Sequence, residues 1–469
     1  MPRIIVLGGG VCGLATAMML ARHGNDVTVL ERDAEPTPGS LDEAWGSWQR
    51  RGVAQFRQPH YVQPRVRQVL EAELPDVCDA LVADGARRFD ALGALPPSIS
   101  DRAARPGDER FVTVTARRPP FERVFACVAE AEPGVEVRRG VSVEGVLCGP
   151  SAGDGAPHVV GVRTSGGEEI HADLVVDAMG RGSKLPAWLL DAGAAPVHEE
   201  AADCGFVYYT RFFRGALPEI RAPLSTPIGS ISILTLPSDG DTWSVTLFAS
   251  TGDRPVKQLR HNDRWGAVLA SLPLHAHWAD GEPLGDVVAM SGITDRVRRI
   301  APEGRPVATG VALVADAAAC TNPSLGRGIS FGLMHAASLP EIVGTHLDDP
   351  RGFSEAWDTS TEERLTPWYQ ATVAYDRAYH ARVDAIREGR PAPAPDTPAG
   401  KATAALVVAA PHDPAVFRGF MDIVSCLALP QEVMARPGLA QRVSELGAAH
   451  DPPPPPGPDR EQLLTLLAA

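Results

Sequence analysis

Lysine is almost missing from this 469-residue chain. It occurs only at Lys184, Lys257 and Lys401, so arginine carries nearly all the positive charge, a bias that a GC-rich coding sequence alone would produce. The formal net charge is −14. So acidic a chain lacks the basic face that nucleic acid requires, and no nucleic-acid partner is expected. Cys-x-x-Cys is absent. The seven cysteines stand at 12, 78, 127, 148, 204, 320 and 426, an odd number. They read as small buried hydrophobes in a reducing compartment, with neither disulfides nor a metal site expected. No stretch approaches twenty uninterrupted apolar residues, which argues against a membrane span. A strand that starts at residue 3 leaves no room for a signal peptide. These absences predict a soluble cytoplasmic protein. An apolar share of 44% and a charged share of 22% agree with a soluble globular chain. No Ser/His/acid or Cys/His constellation stands out, so no catalytic side chain is assigned.

What is present begins at once. Arg3–Leu7 reads as a buried strand, followed by Gly8-Gly-Gly10-Val-Cys12-Gly13. Leu14–His23 reads as a helix, and Asp26–Leu30 as a second strand ending in Glu31. This is strand, Gly-x-Gly-x-x-Gly, helix, strand, acid. Gly8 permits the tight turn, Gly10 admits a pyrophosphate, and Gly13 lets helix and strand pack closely. The N–H groups at the helix start then face the phosphates. Glu31 stands where a carboxylate can accept hydrogen bonds from both hydroxyls of an adenosine ribose. The whole context predicts dinucleotide binding.

Further along, residues 34–60 read as a long polar loop over the nucleotide site, and 61–85 and 120–131 as helices. Residues 135–147 and 158–170 alternate like hairpin strands. Asp173–Ala178 is a short buried strand ending in a glycine turn. From about 204 to 250 the period-two alternation of CGFVYYTRFFRG, GSISILTL and TWSVTLFAS predicts an antiparallel sheet. The C-terminal third reads as mostly helical, with a proline-rich loop at 391–398 and a polyproline spacer at 452–458. Residues 402–410 and 416–429 are apolar enough to touch a membrane surface, but core packing is the preferred account.

A second nucleotide-site segment lies at residues 311–339, VALVADAAACTNPSLGRGISFGLMHAASL. A strand runs into Asp316, and Pro323 leads to Gly326-Arg327-Gly328 at a helix start. Asp316 could bond a polyol hydroxyl, and the helix N-terminus could stabilise negative charge. A flavin needs both. A capped surface loop is the alternative on local sequence alone.

The glycine triplet with Glu31, Asp173–Gly180 and Asp316–Gly328 together resemble FAD-dependent monooxygenases of the para-hydroxybenzoate hydroxylase superfamily. Order and spacing agree across residues 1–340. The runs GVAQFRQPHYVQPRVRQVL, DAMGRGSKLPAWL and Pro323–Gly328 are closest to bacterial natural-product epoxidases and hydroxylases related to squalene epoxidase. The resemblance implies FAD as cofactor. Gly8, Gly10 and Gly13, with Cys12 between them, would hold the pyrophosphate and Glu31 the ribose. Arg32 would lie near the adenine, and Arg118 would contact the cofactor. Asp316 would bond ribityl or pyrophosphate oxygens. Pro323, Leu325, Gly326, Arg327 and Gly328 would cradle the isoalloxazine edge. Arg57 and His60 would lie against the flavin, with an exposed Arg/His pair as the equal alternative.

The implied architecture is α/β: a Rossmann-like FAD-binding domain of glutathione reductase type, with an inserted antiparallel-sheet substrate domain and a helical C-terminal region. The expected boundaries are 1–90 with 110–200 and 290–345 for the FAD domain, 91–109 with 201–289 for the substrate domain, and 346–469 for the helical region. Tyr208, Phe212, Ile231, Ile233 and Phe248 are candidates to line a substrate face, although core packing is the commoner role for any one of them.

The implied reaction inserts one oxygen atom from O2 into an apolar small molecule, by epoxidation or hydroxylation, through a C4a-hydroperoxyflavin. The chemistry is mostly the cofactor's. One departure stands out. Asp177-Ala-Met179-Gly180 replaces the family's Ala-Asp-Gly turn, which helps to bind NADPH, so a separate NAD(P)H-flavin reductase is expected. The Trp-x-Trp-x-Ile-Pro motif of flavin halogenases is absent, which argues against halogenation. A reductase or oxidase of the same fold, and a protein that uses FAD only structurally, remain alternatives.

Overall fold

The computed structural model describes residues 1–469 except 54, 94, 97, 152–154, 452–455 and 469. The first segment folds as its residues dictate. In Arg3–Leu7, every residue after the arginine is buried, which places it inside a parallel sheet. That sheet has the order Val311–Leu313, Leu174–Asp177, Arg3–Leu7, Asp26–Glu31, Val135–Arg139, with every neighbouring pair parallel. Helix Val11–Arg22 buries Leu14, Ala17, Met18 and their neighbours, because it is wedged between the sheet and helices Arg118–Ala131 and Gly328–Ala336. One core joins these elements to helix Pro350–Arg364 through Trp357.

Two local expectations need correction. Val135–Arg139 is not a hairpin arm but the edge strand of the parallel sheet. The hairpin is formed by Val143–Gly149 and His158–Thr164. Alternation in five residues cannot distinguish an edge strand from a hairpin arm; the preceding helix, acting as a crossover, decides it. Residues 61–85 form two helices, Pro64–Glu73 and Pro75–Ala83, because Pro75 biases Leu74 out of the helical region (φ −139°, ψ 56°).

The second layer is antiparallel. Its path is Ser225–Ile228, Ile231–Pro237, Thr242–Ser250, Phe206–Arg214, Glu282–Pro283, with Val288–Met290 also paired to Phe206–Arg214. One face packs on helix Asn262–Ala270 and on the last helix, Arg460–Ala468, through Trp265, Trp278, Leu463 and Leu467. The other face looks toward helix Thr366–Arg387, where Phe206, Tyr208 and Phe248 meet Tyr379. The C-terminal helices build a further core in which Leu406, Val416 and Phe417 enclose Leu92, Leu95 and Ile99. Among the described residues no helix is long and apolar enough to cross a membrane. All seven cysteines are free.

Candidate functional site

A single cavity of about 3080 Å³ runs between the parallel sheet, the antiparallel sheet and the C-terminal helices. It is several times a typical ligand pocket of roughly 300–1,000 Å³. One end is lined by Gly8, Gly10, Cys12, Gly13, Glu31 and Arg32. A Cβ on Gly13 would lie 2.0 Å from the Gly8 carbonyl oxygen, so this glycine lets the helix start touch the strand end. Gly8 has φ +105°, and a Cβ there would meet the Ala178 carbonyl at 2.7 Å. At Gly10 a Cβ would meet nothing within 4 Å, although its backbone is ordinary extended chain. The turn therefore leaves a cradle facing the cavity. No side chain caps helix Val11–Arg22, so its first N–H groups remain available to an anion.

The Glu31 carboxylate is buried and largely committed. Oε2 accepts from Gly9 N at 2.8 Å and Arg50 Nη2 at 2.7 Å, and Oε1 accepts from Asp33 N at 2.8 Å. A carboxylate offers about four lone-pair directions. One is left for a ribose hydroxyl, which revises the expectation that Glu31 serves both. Arg50 was not singled out from sequence, yet it is the hub of this end. It also bonds Asp33 at 3.1 Å, Glu122 at 2.9 Å and the Gly9 carbonyl at 3.1 Å. Glu122 in turn accepts from Arg118 Nε at 2.6 Å. Two buried guanidiniums thus hold three carboxylates beside the glycine turn. Residue type alone gave no signal for Arg50, which stands in a loop containing several arginines.

Arg118 reaches His60, with Nη1 3.4 Å from His60 Nε2. Burial, with Arg118 adding to it, pushes His60 down to about 3, so the ring is neutral and accepts from the guanidinium. Both residues line the cavity. Arg57 does not. Its guanidinium donates to the carbonyls of Trp45 and Trp48 and borders a separate small cleft. Burial pushes the Cys12 thiol up to about 12, which keeps it protonated.

Opposite the glycine turn, the strand Val311–Leu313 is followed by Ala315, whose φ of +52° turns the chain and brings Asp316 to the cavity. Asp316 makes no hydrogen bond to a described residue. Burial pushes its carboxyl up, while Arg118, Arg181 and Arg296 pull it back. Such a carboxylate suits a polyol hydroxyl. Pro323, Leu325, Gly326, Arg327 and Gly328 all line the cavity. Gly326 is left-handed (φ +62°), and Gln63 Nε2 donates to the Leu325 carbonyl at 2.8 Å. No side chain caps helix Gly328–Ala336. The Arg327 guanidinium turns toward the C-terminal helices, reaching Thr372 Oγ1 and the Ile423 carbonyl at 3.3 Å each. The open Gly10 cradle, two uncapped helix starts and the free Asp316 carboxylate match what a dinucleotide with a ribityl chain requires.

Asp177 lies outside the cavity wall. It accepts from the Ser183 hydroxyl and from Met179 N at 2.9 Å, and burial pushes it up to about 6.

Of the substrate candidates, Tyr208 lines the cavity, whereas Phe212, Ile231 and Phe248 do not. Phe212 packs edge-on against Trp45 with centroids 4.9 Å apart. Phe248 stacks behind Tyr208 at 5.5 Å. Ile231 and Ile233 face the core on the far side of the sheet. Their neighbours Ser232, Leu234 and Leu236 face the cavity. Strand Ile231–Pro237 is buried along most of its length on both faces, so hydrophobicity did not indicate which face was inward.

With this geometry in place, comparisons with known proteins are informative. Residues 3–97 match the family model for FAD dependent oxidoreductases. Protein Rv3254 of Mycobacterium tuberculosis (strain ATCC 25618 / H37Rv) is 25% identical over 446 residues, 90% of this chain and 89% of that protein. The 6-hydroxy-3-succinoylpyridine 3-monooxygenase HspB of Pseudomonas putida (strain DSM 28022 / S16) is 26% identical over 364 residues, 74% of this chain and 81% of its own. Among solved structures, PqsL, a probable FAD-dependent monooxygenase from Pseudomonas aeruginosa, superposes with a TM-score of 0.58 at 18% identity. That superposition covers 82% of this chain and 96% of PqsL, and at this identity it shows the shared fold.

Proposed function

We propose that this FAD-dependent oxidoreductase, whose relatives include flavin monooxygenases, inserts one atom of O2 into an apolar small molecule by epoxidation or hydroxylation. The observation that carries the proposal is the continuity of the cavity. The glycine and Glu31 end, the Asp316 to Gly328 segment and an apolar end line one continuous cavity. A bound cofactor and an apolar substrate would therefore lie side by side in the same cavity.

Gly8, Gly10 and Gly13 would hold the pyrophosphate, Glu31 one ribose hydroxyl, and Asp316 a ribityl hydroxyl. Reduced FAD, when bound, supplies the activation of O2. The chain's own part is to bind, orient and exclude water. The uncapped start of helix Gly328–Ala336 offers N–H groups and a positive dipole end to negative charge on the ring. Leu234, Leu236, Met290, Ile293, Phe417 and Met421 supply apolar wall on the substrate side. Oxygen transfer to a double bond or ring needs no protein nucleophile, and none is assigned.

A separate reductase completes the proposal. In Asp177-Ala-Met179-Gly180 the only acid faces inward to Ser183, and Met179 occupies the cavity wall. The turn therefore presents no carboxylate to a nicotinamide cofactor.

The test is to load the protein anaerobically with reduced FAD and mix it rapidly with oxygenated buffer. A transient absorbance distinct from reduced and oxidised flavin is expected. Direct reoxidation without a transient would favour the oxidase or reductase alternative. Rapid NADPH oxidation by the purified protein alone, on adding substrate, would sink the need for a reductase.

A further inference from the structure

Beyond the Pro323–Gly328 loop the cavity continues outward along helix Thr366–Arg387. That helix is divided lengthwise. Thr372, Asp376, Tyr379 and Val383, three and four residues apart, are buried. Tyr375, Ala378 and Arg382, at the same spacing, form a second stripe that lines the cavity. Helix Pro398–Ala409 supplies more of the wall through Thr403 and Val407, and it contains no acidic residue. The inner part of helix Thr366–Arg387 is fixed to the Pro323–Gly328 loop, where Arg327 reaches Thr372 Oγ1 at 3.3 Å. Arg382 stands further out along the helix, about 15 Å from Thr372 at the rise of an α-helix.

Two cations lie along this arm. Arg382 is half-buried, with its guanidinium over the Tyr379 ring, 5.3 Å from the centroid. Arg377 is exposed and also lines the cavity. Neither makes a hydrogen bond or ion pair to a described residue. The acids that line the cavity are few. Glu31 and Asp316 belong to the cofactor end, and Glu219 is bonded to Arg221 at 2.9 Å. Asp396 is left as the single unpaired carboxylate against two guanidiniums. The arm is therefore positive on a chain whose net charge is −14. A guanidinium carries a rigid fork of N–H donors and no acceptor, a geometry that matches a carboxylate.

We propose that this arm receives the anionic end of the substrate, with a terminal carboxylate reaching Arg382 and Arg377 beside it. This deepens the monooxygenase reading and rests on it. The substrate class is then an elongated apolar carboxylate, whose body lies against Tyr375, Ala378 and Val407 and whose charge stays at the outer end. A compact hydrocarbon would leave both guanidiniums unanswered. Arg382 and Arg377 are specificity-determining residues, remote from the reacting atoms.

The experiment measures binding, not turnover. The probes are 4′-pentylbiphenyl-4-carboxylic acid, its carboxamide and its methyl ester, titrated by calorimetry into the FAD-loaded protein at neutral pH. The wild type is expected to prefer the acid by about tenfold or more, in the range for a hydrogen bond to a charged group. Added salt should weaken binding of the acid and leave the ester unchanged. Arg382→Gln is expected to remove most of the preference without changing ester affinity, and Arg377→Gln to reduce it. The flavin absorbance spectrum and melting temperature of each variant report folding. Equal affinity for acid, amide and ester in the wild type would overturn the proposal, as would failure of the acid to bind. So would a preference that survives in the Arg377→Gln/Arg382→Gln double variant. Benzoate binding as tightly as the long acid would show an anion site without an apolar body and overturn the elongated class. Tighter binding of the matching biphenyl phosphate ester would overturn the assignment to a carboxylate. A carboxylate preference without an oxygen-mixing transient would refute the monooxygenase reading alone, and a transient without the preference would refute this proposal alone.

Discussion

At the scale of single residues, the glycine turn separates two jobs that the motif runs together. Gly13 is a packing residue, since a Cβ there would collide with the Gly8 carbonyl oxygen. Gly10 has no such packing role, since a Cβ there would meet only open space, and it is the residue proposed to admit the pyrophosphate. Gly13→Ala should therefore lower the melting temperature. Gly10→Val should leave it near wild type while weakening FAD binding by tenfold or more, about 1.4 kcal/mol. Thermal melts of the flavin-free protein and fluorescence titrations with FAD test both. Equal loss of stability in the two variants would refute the division. Arg50 marks the limit of motif reading at this scale. It stands within a loop and belongs to no pattern, yet it holds Glu31, Asp33 and Glu122 at once.

At the scale of elements, the Asn322–Asp376 bond ties the loop that precedes helix Gly328–Ala336 to helix Thr366–Arg387. Asp376 and Asp295 are both buried and interact side chain to side chain. Burial above all, with the Asp295 charge adding to it, pushes Asp376 up to about 8, while Asn322 and Arg327 oppose the rise. An unfolded carboxyl titrates near ~3.9. Between these values the folded chain binds the extra proton, so the stability that Asp376 supports is complete at low pH and is lost as pH rises toward its folded value. Asp376→Asn mimics the protonated acid and should flatten this decline, which is at most about 1.4 kcal/mol per pH unit for one group. Denaturant melts at about pH 5 and about pH 8 check it. Parallel slopes in wild type and variant would show that the pair does not share a proton. The other element-scale surprises are of one kind. Pro75 splits a helix because it restrains Leu74, and Val135–Arg139 joins the parallel sheet because a helix precedes it.

At the scale of the whole molecule, the antiparallel sheet is the partition. One face closes the cavity with Tyr208, Ser232 and Leu234. The other carries a core completed by the end of the chain, where Leu463 and Leu467 are almost fully buried and Arg460 bonds Asp253 at 2.6 Å. Leu463→Ala and Leu467→Ala should each cost about 2–5 kcal/mol of stability. FAD affinity at a temperature where the variants remain folded should be unchanged, because the sheet lies between. Denaturant unfolding with parallel FAD titration would decide, and a selective loss of FAD binding would contradict the partition.

The sequence alone determined the nucleotide half of this protein. A glycine triplet between strand and helix, an acid at the next strand end and a second strand–turn–helix near residue 316 are local patterns. Their meaning depends on backbone geometry over a few residues, which short-range sterics impose. The alternation of residues 204–250 likewise determined an antiparallel sheet. Tertiary structure alone decided what depends on distant partners. It set which face of strand Ile231–Pro237 meets the cavity, because both faces are apolar and the last helix covers one of them. It turned Arg57 away to the Trp45 and Trp48 carbonyls and brought Arg50 to Glu31 beside the glycine turn. It also assembled Tyr208, Asn322 and Asp376 from three separate parts of the chain, a cluster that exists only because burial obliges each polar group to find a partner.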